Sequence, residues 1–369
     1  MFFMKKGSVN KKESVYLQNL TEITNNKNLK IMANKPITNK DVIKKTAEIL
    51  SDNSEWRKRF AKYANDIHEK KAAKIAFGRL FRTRNSLHIY STTTQSETEF
   101  QIRFAGKIVG KVIYDSNKNK VFLTVDESHL KVAKALGYGG ETLNKELWNC
   151  KEASAYRSFF NHQVSTKSIC DIFGNAGLGE GKEARVENKL LVEFKNGDLI
   201  RNINPVLLCG AFFQCSTPIT ASDHKMLPEY RGVRGGRIDI LARIKHGSNR
   251  NSNRLAVIEV KDSYENDTQA DALQQAIAYA TFLAYLLKNE KCGNAWWNIF
   301  GKGGKVPANL HIDAVTLMPE YDKSVEGDMS LLNIPDLGVT IHPYTLYYKE
   351  DKDGNPTGFS GNLKDEIDK

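Results

Sequence analysis

The chain has 369 residues, of which 40% are apolar, and a formal charge of +11, enough for a sizeable core and two domains with polar tails. The charge is uneven: residues 1–170 carry 31 Lys and Arg against 16 Asp and Glu, net +15, and the remainder carry 23 against 27, net −4. Cys150, Cys170, Cys209, Cys215 and Cys292 lack zinc or disulfide spacing, and no apolar run is long enough to span a bilayer or act as a signal peptide, so a cytoplasmic protein with reduced thiols and no membrane partner is expected.

Residues 1–40, rich in Lys and Asn, read as a flexible arm. From Asp41 the pattern turns helical. Trp56, Phe60, Tyr63 and Ile67 recur at spacings of four, three and four, one face of an amphipathic helix, and are read as core rather than as base-stacking groups. The opposite side carries Arg57, Lys58, Arg59 and Lys62, which are candidates for phosphate contact. The period then changes to two over Phe100–Phe104, Lys107–Tyr114 and Val121–Val125, an antiparallel meander. Helices are expected over 127–136 and 141–160, separated by the Gly137-Tyr138-Gly139-Gly140 terminator. The glycine-crowded stretch over 165–180 suggests a boundary, giving a basic domain over 41–175 and a second domain over 176–369.

In the second domain, Lys182–Phe194 predicts a helix with Glu183, Glu187, Leu190, Leu191 and Phe194 on one side, and carboxylates beside an apolar stripe are unusual. Val206–Cys215 is apolar and fits strand or helix. A basic loop with Arg231 and Arg234 leads through Gly235-Gly236 into two apolar runs, Arg237–Leu241 and Leu255–Lys261, separated by a polar turn. A β-hairpin with its midpoint near Asn249 and Arg250 sets Asp239 across from about residue 260. Alternation along the strand then projects Glu259 and Lys261 from the same face, next to Asp239. Two carboxylates and one ammonium among isoleucines and valines are an incomplete pairing, which a hard divalent cation would complete. A plain salt-bridge cluster between strands is the simpler alternative. Thr268–Leu287 follows as a core helix and His311–Met318 as a further strand.

The order helix, strands, hairpin, helix, strand, with Asp239 and Glu259-Val260-Lys261 on adjacent strands, resembles the PD-(D/E)xK nuclease superfamily. Gln275 and Tyr279 match the Q-x-x-x-Y element of its RecB-like branch; Ile238 stands where the motif has proline, and the iron–sulfur cysteines of some relatives are absent. The resemblance covers roughly residues 182–320. It implies an α/β (α+β) fold, a restriction-endonuclease-like mixed central sheet flanked by helices, preceded here by a basic domain of helices and antiparallel sheet. It further implies that Asp239, Glu259, the Val260 carbonyl and Glu187, with Glu183 as a weaker candidate, hold Mg²⁺, with Mn²⁺ expected to substitute. Lys261 would be catalytic, Gln275 would position it or a phosphate, and Tyr279 would support the helix. The expected function is Mg²⁺-dependent hydrolysis of phosphodiester bonds, in DNA before RNA, by an endonuclease of restriction, defence or repair type. The alternative is a catalytically silent nucleic-acid-binding protein on the same fold. Many such enzymes pair subunits to cut both strands, which leaves a homodimer open, although no dimer surface is legible.

Overall fold

The computed structural model describes residues 37–52, 55–77, 86–93, 99–115, 117–166, 182–208, 210–221, 229–230, 235–247, 253–262, 267–320, 327–352 and 355–368. Nearly all of the expected arm, the boundary at 175, the tip of the hairpin, and Arg231 and Arg234 lie outside them. Residues Asn39–Lys369 form one compact unit of mixed α and β structure built on two mixed sheets.

Helices α1 (Asn39–Asp52) and α2 (Glu55–Phe77) open this unit. Trp56, Phe60 and Ile67 are buried, and the rings of Trp56 and Phe60 lie edge-on to Phe282 with centroids 5.6 and 5.2 Å away. The aromatic stripe is therefore core, as its spacing predicts. Strands β1 (Leu87–Thr92), β2 (Glu99–Phe104), β3 (Lys107–Asp115) and β4 (Lys120–Val125) form the expected meander. Ala105 and Gly106 turn β2 into β3 with φ of 44° and 84°, the left-handed pair that a two-residue hairpin demands. Helix α3 (Glu127–Ala135) is capped by Asp126, whose side chain accepts from the His129 amide at 3.1 Å.

The helix expected over 141–160 is only partly formed. Leu143–Leu147 is strand β5, and helix α4 spans Lys151–Thr166. The free edge of β4 offers this segment ladder hydrogen bonds, and pairing of Phe122 with Leu147 outweighs its weak helical pattern.

Helix α5 (Lys182–Asn196) leads to strands β6 (Ile203–Pro205), β7 (Leu207–Leu208) and β8 (Ala211–Gln214), so the unsettled apolar run is strand. β8 pairs in parallel with β1, giving a first sheet ordered β5-β4-β3-β2-β1-β8-β7. Strands β9 (Ile219–Thr220) and β10 (Glu229–Tyr230) form a separate two-stranded sheet.

The second sheet is assembled from β11 (Ile240–Lys245), β12 (Asn253–Val260), β13 (Leu310–Pro319), β14 (Leu332–Ile334), β15 (Val339–Glu350) and β16 (Pro356–Ser360), with β6 at one edge. Its order is β14-β15-β13-β12-β11-β6, with β16 also on β15. β11 and β12 are the predicted antiparallel hairpin, and β12, β13 and β15 run parallel. Helix α6 (Gln269–Leu287) provides the crossover that the parallel β12–β13 pair needs, followed by helix α7 (Gly293–Ile299). One face of the sheet, with Ile240, Ala242, Ile258 and Val260, packs on Val186, Leu190 and Phe194 of α5 and on Leu363 and Ile367 of the last helix, α8 (Asn362–Ile367). α6 packs on β12, β13 and β15, where Ala272 meets Met318 and Tyr347. Covered on both faces, β12 and β13 read as near-continuous apolar runs.

Candidate metal centre

The hairpin register pairs Ile240 with Ile258 and Leu241 with Val257, so one step outward brings Asp239 beside Glu259. The Val260 amide donates to Asp239 Oδ2 at 3.0 Å, which ties the acid to the end of β12. Alternation along β12 keeps Glu259 and Lys261 on one side, with Lys261 Nζ 3.3 Å from Glu259 Oε1. The charges that the sequence brings together are together in the fold.

The third carboxylate comes from α5. Oxygens of Glu183, Asp239 and Glu259 all lie within 4.8 Å of one another, a set that could hold a metal ion. The resemblance ranked Glu187 above Glu183, and the group of three close carboxylates contains Glu183. Glu187 lies one turn further along α5, buried, close enough to Asp239 for mutual repulsion and to Arg103 and Arg237 for attraction. Spacing of four on a helix places both glutamates on one side and cannot choose between them.

Lys261 is 2% exposed, and three acceptors surround its ammonium. Besides Glu259 it meets Asp267 Oδ2 at 3.2 Å and donates to Gln275 Oε1 at 3.3 Å. Gln275 Nε2 in turn donates to Asp267 Oδ2 at 3.1 Å, so the predicted role of Gln275 beside Lys261 has a geometric basis. Tyr348 donates to the Lys261 carbonyl at 3.0 Å. Tyr279 accepts from the Ala221 amide at 3.3 Å, and its hydroxyl lies where a Cβ on Gly236 would collide with it. Glycine at 236 is thus needed for close approach of the chain to α6.

Burial and the neighbouring Asp239 carboxylate push Glu187 up to about 8 and raise Glu259 well above the usual carboxylate range, with Lys261 partly opposing the latter. Glu259 Oε2 is buried with no hydrogen-bond partner among the described residues. Five carboxyl groups (Glu183, Glu187, Asp239, Glu259, Asp267) face three cations (Lys261, Arg103, Arg237) among these residues. A divalent cation would offset the excess of acidic groups and give Glu259 Oε2 a partner.

No family model, curated protein or solved structure matches this chain. What the site can do rests on its own chemistry.

The predicted phosphate contacts of α2 lie elsewhere. Arg57 and Lys58 line a cleft with Tyr285, Lys288 and Lys291 at the far end of α6, roughly 20 Å along the helix from Gln275 at 1.5 Å per residue. Lys58 pairs with Glu55 and Lys62 with Asp66, each at 2.8 Å, which neutralises part of that face; Arg59 is half-buried. Sequence reasoning passed over Asp267, Arg103 and Arg237 as site residues. Arg237 carries the only local signal, two residues before Asp239 in an extended segment.

Proposed function

We propose that this protein is a metal-dependent phosphodiesterase acting on nucleic acid, a nuclease of PD-(D/E)xK type with a restriction-endonuclease-like second sheet. The observation that carries the proposal is the under-compensated meeting of half-buried Glu183 and Asp239 with buried Glu259 beside Lys261. Glu183, Asp239 and Glu259 would hold Mg²⁺ or Mn²⁺, with the Val260 carbonyl and Glu187 as further candidates. A bound divalent ion supplies Lewis-acid stabilisation of charge on phosphoryl oxygens and lowers the pKa of a water. Lys261 adds fixed positive charge where the phosphorane-like transition state concentrates negative charge. Gln275 and Asp267 hold that ammonium in place, so it needs no reorganisation when charge develops. DNA is the proposed substrate class, in keeping with the basic residues 1–170.

Asp239→Ala, Glu259→Ala and Lys261→Ala should each abolish Mg²⁺-dependent cleavage of circular and linear DNA while leaving DNA binding largely intact. Calorimetry with Mn²⁺ separates chemistry from binding: the wild-type chain should take up the ion, and Asp239→Asn should weaken uptake. Cleavage that survives all three alanine variants, or that persists in EDTA, removes the assignment.

A further inference from the structure

Arg237 lies two residues before Asp239 and close enough to Glu187 for attraction. Ile238, between Arg237 and Asp239, is fully buried. The backbone here is fixed: Arg237 bridges Ser216, and the Ile238 amide donates to the Cys215 carbonyl at 2.9 Å. The Arg237 side chain is exposed, and Nη1 donates to Gln214 Oε1 at 3.2 Å. That same oxygen accepts from Nη2 of Arg103 at 2.7 Å. Arg103 is 5% exposed, lies 4.1 Å over the Tyr90 ring and is held again by Gln101 through Nε at 3.0 Å.

Tyr90, Arg103 and Gln214 therefore make a rigid mount contributed by the first sheet. Arg237 is tethered to it by one of its five donors. Among the described residues no carboxylate lies within ion-pair distance of the Arg237 guanidinium. A pre-oriented, exposed fork with no carboxylate in direct contact among the described residues, two residues from a carboxylate of the acidic group, has the geometry for bidentate capture of an oxyanion.

We propose that Arg237 binds the backbone phosphate that this centre acts on, with Gln214 and Arg103 as positioning residues. The inference rests on the metal-dependent phosphodiesterase reading and adds a substrate ligand to it. The first sheet, which supplies Gln214 and Arg103, then becomes part of the site.

The test uses the full chain with a fluorescently labelled DNA duplex in Ca²⁺ or EDTA, alongside Mn²⁺ calorimetry. Arg237→Met should keep Mn²⁺ affinity within about twofold and lose the metal-dependent gain in DNA affinity by about 10- to 100-fold, the range for a charged hydrogen-bonded pair. Arg237→Lys should retain part of that gain. Retained Mn²⁺ binding doubles as the check on folding. If Arg237→Met matches the wild type in DNA affinity, this inference fails and the metal reading stands. If the wild type takes up no Mn²⁺, the metal reading fails and carries this one with it. Inorganic phosphate that displaces the duplex at an equal concentration of phosphate groups overturns the polymer backbone as ligand.

Discussion

Lys261 keeps its charge out of water because Glu259, Asp267 and Gln275 supply an acceptor for each of its three N–H groups. Glu187 is treated differently. Burial and Asp239 raise its carboxyl to about 8, so the folded metal-free protein holds a proton there that the unfolded chain sheds near the ordinary 4.5. The folded state binds more protons than the unfolded one throughout that window, so stability falls as pH rises from 4.5 through about 8. Glu187→Gln cannot ionise. In EDTA its melting temperature should exceed that of the wild type on the alkaline side of the window and converge with it on the acidic side. Glu259, shifted in the same direction, leaves a residual slope. Parallel melting curves across the window would contradict this account.

At the scale of elements, the start of α6 sets the site because Asp267 immediately precedes its cap. Thr268 Oγ1 accepts from the Asp271 amide at 3.2 Å, and Asp271 Oδ2 accepts from the Thr268 amide at 3.0 Å. This reciprocal pair is a capping box with Asp in the usual Glu position. Thr268→Ala should lower stability by about 1 kcal/mol, read as a lower urea midpoint at unchanged slope. Because the cap also fixes the turn that presents Asp267, the same variant should reduce Mg²⁺-dependent cleavage more than it reduces DNA binding. An unchanged midpoint would mean that packing of α6, apolar on most sides, holds the turn without the cap.

Elements with a strong period were legible: the meander, the hairpin, α5 and α6 all lie within a few residues of their expected bounds. Elements whose reason for forming is a distant edge were not. β5 needs the edge of β4, and β8 needs β1, more than a hundred residues earlier. The C-terminal strands β14 to β16 and helix α7 went unanticipated, although β15 is the longest strand described, because no chemical motif marks them.

For the whole molecule, α1 and α2 pack on α6 and α7, and β8 joins the meander, so residues 39–369 share one compact unit. The basic excess of residues 1–170 should still dominate affinity for nucleic acid. Binding to duplex DNA should weaken steeply with salt, with a log–log slope of about −0.9 for each phosphate neutralised. Arg57→Gln, at the cleft beyond the far end of α6, should reduce that slope without changing Mn²⁺ uptake. A salt-insensitive affinity would exclude backbone phosphate as the principal contact.

The sequence by itself determined the carboxylates of Asp239 and Glu259 and the ammonium of Lys261 as one group, because strand alternation and hairpin register are local rules that act over a couple of dozen residues. Gln275 came from the resemblance to the Q-x-x-x-Y element, and its oxygen accepts from Lys261 at 3.3 Å. Only tertiary structure set Glu183 close to Asp239 and Glu259, brought Asp267 to Lys261, and tied Arg237 to Gln214. Those contacts depend on how α5 is set against the sheet and on which strands of distant segments meet. Packing between elements decides such distances, and periodicity along the chain does not encode them.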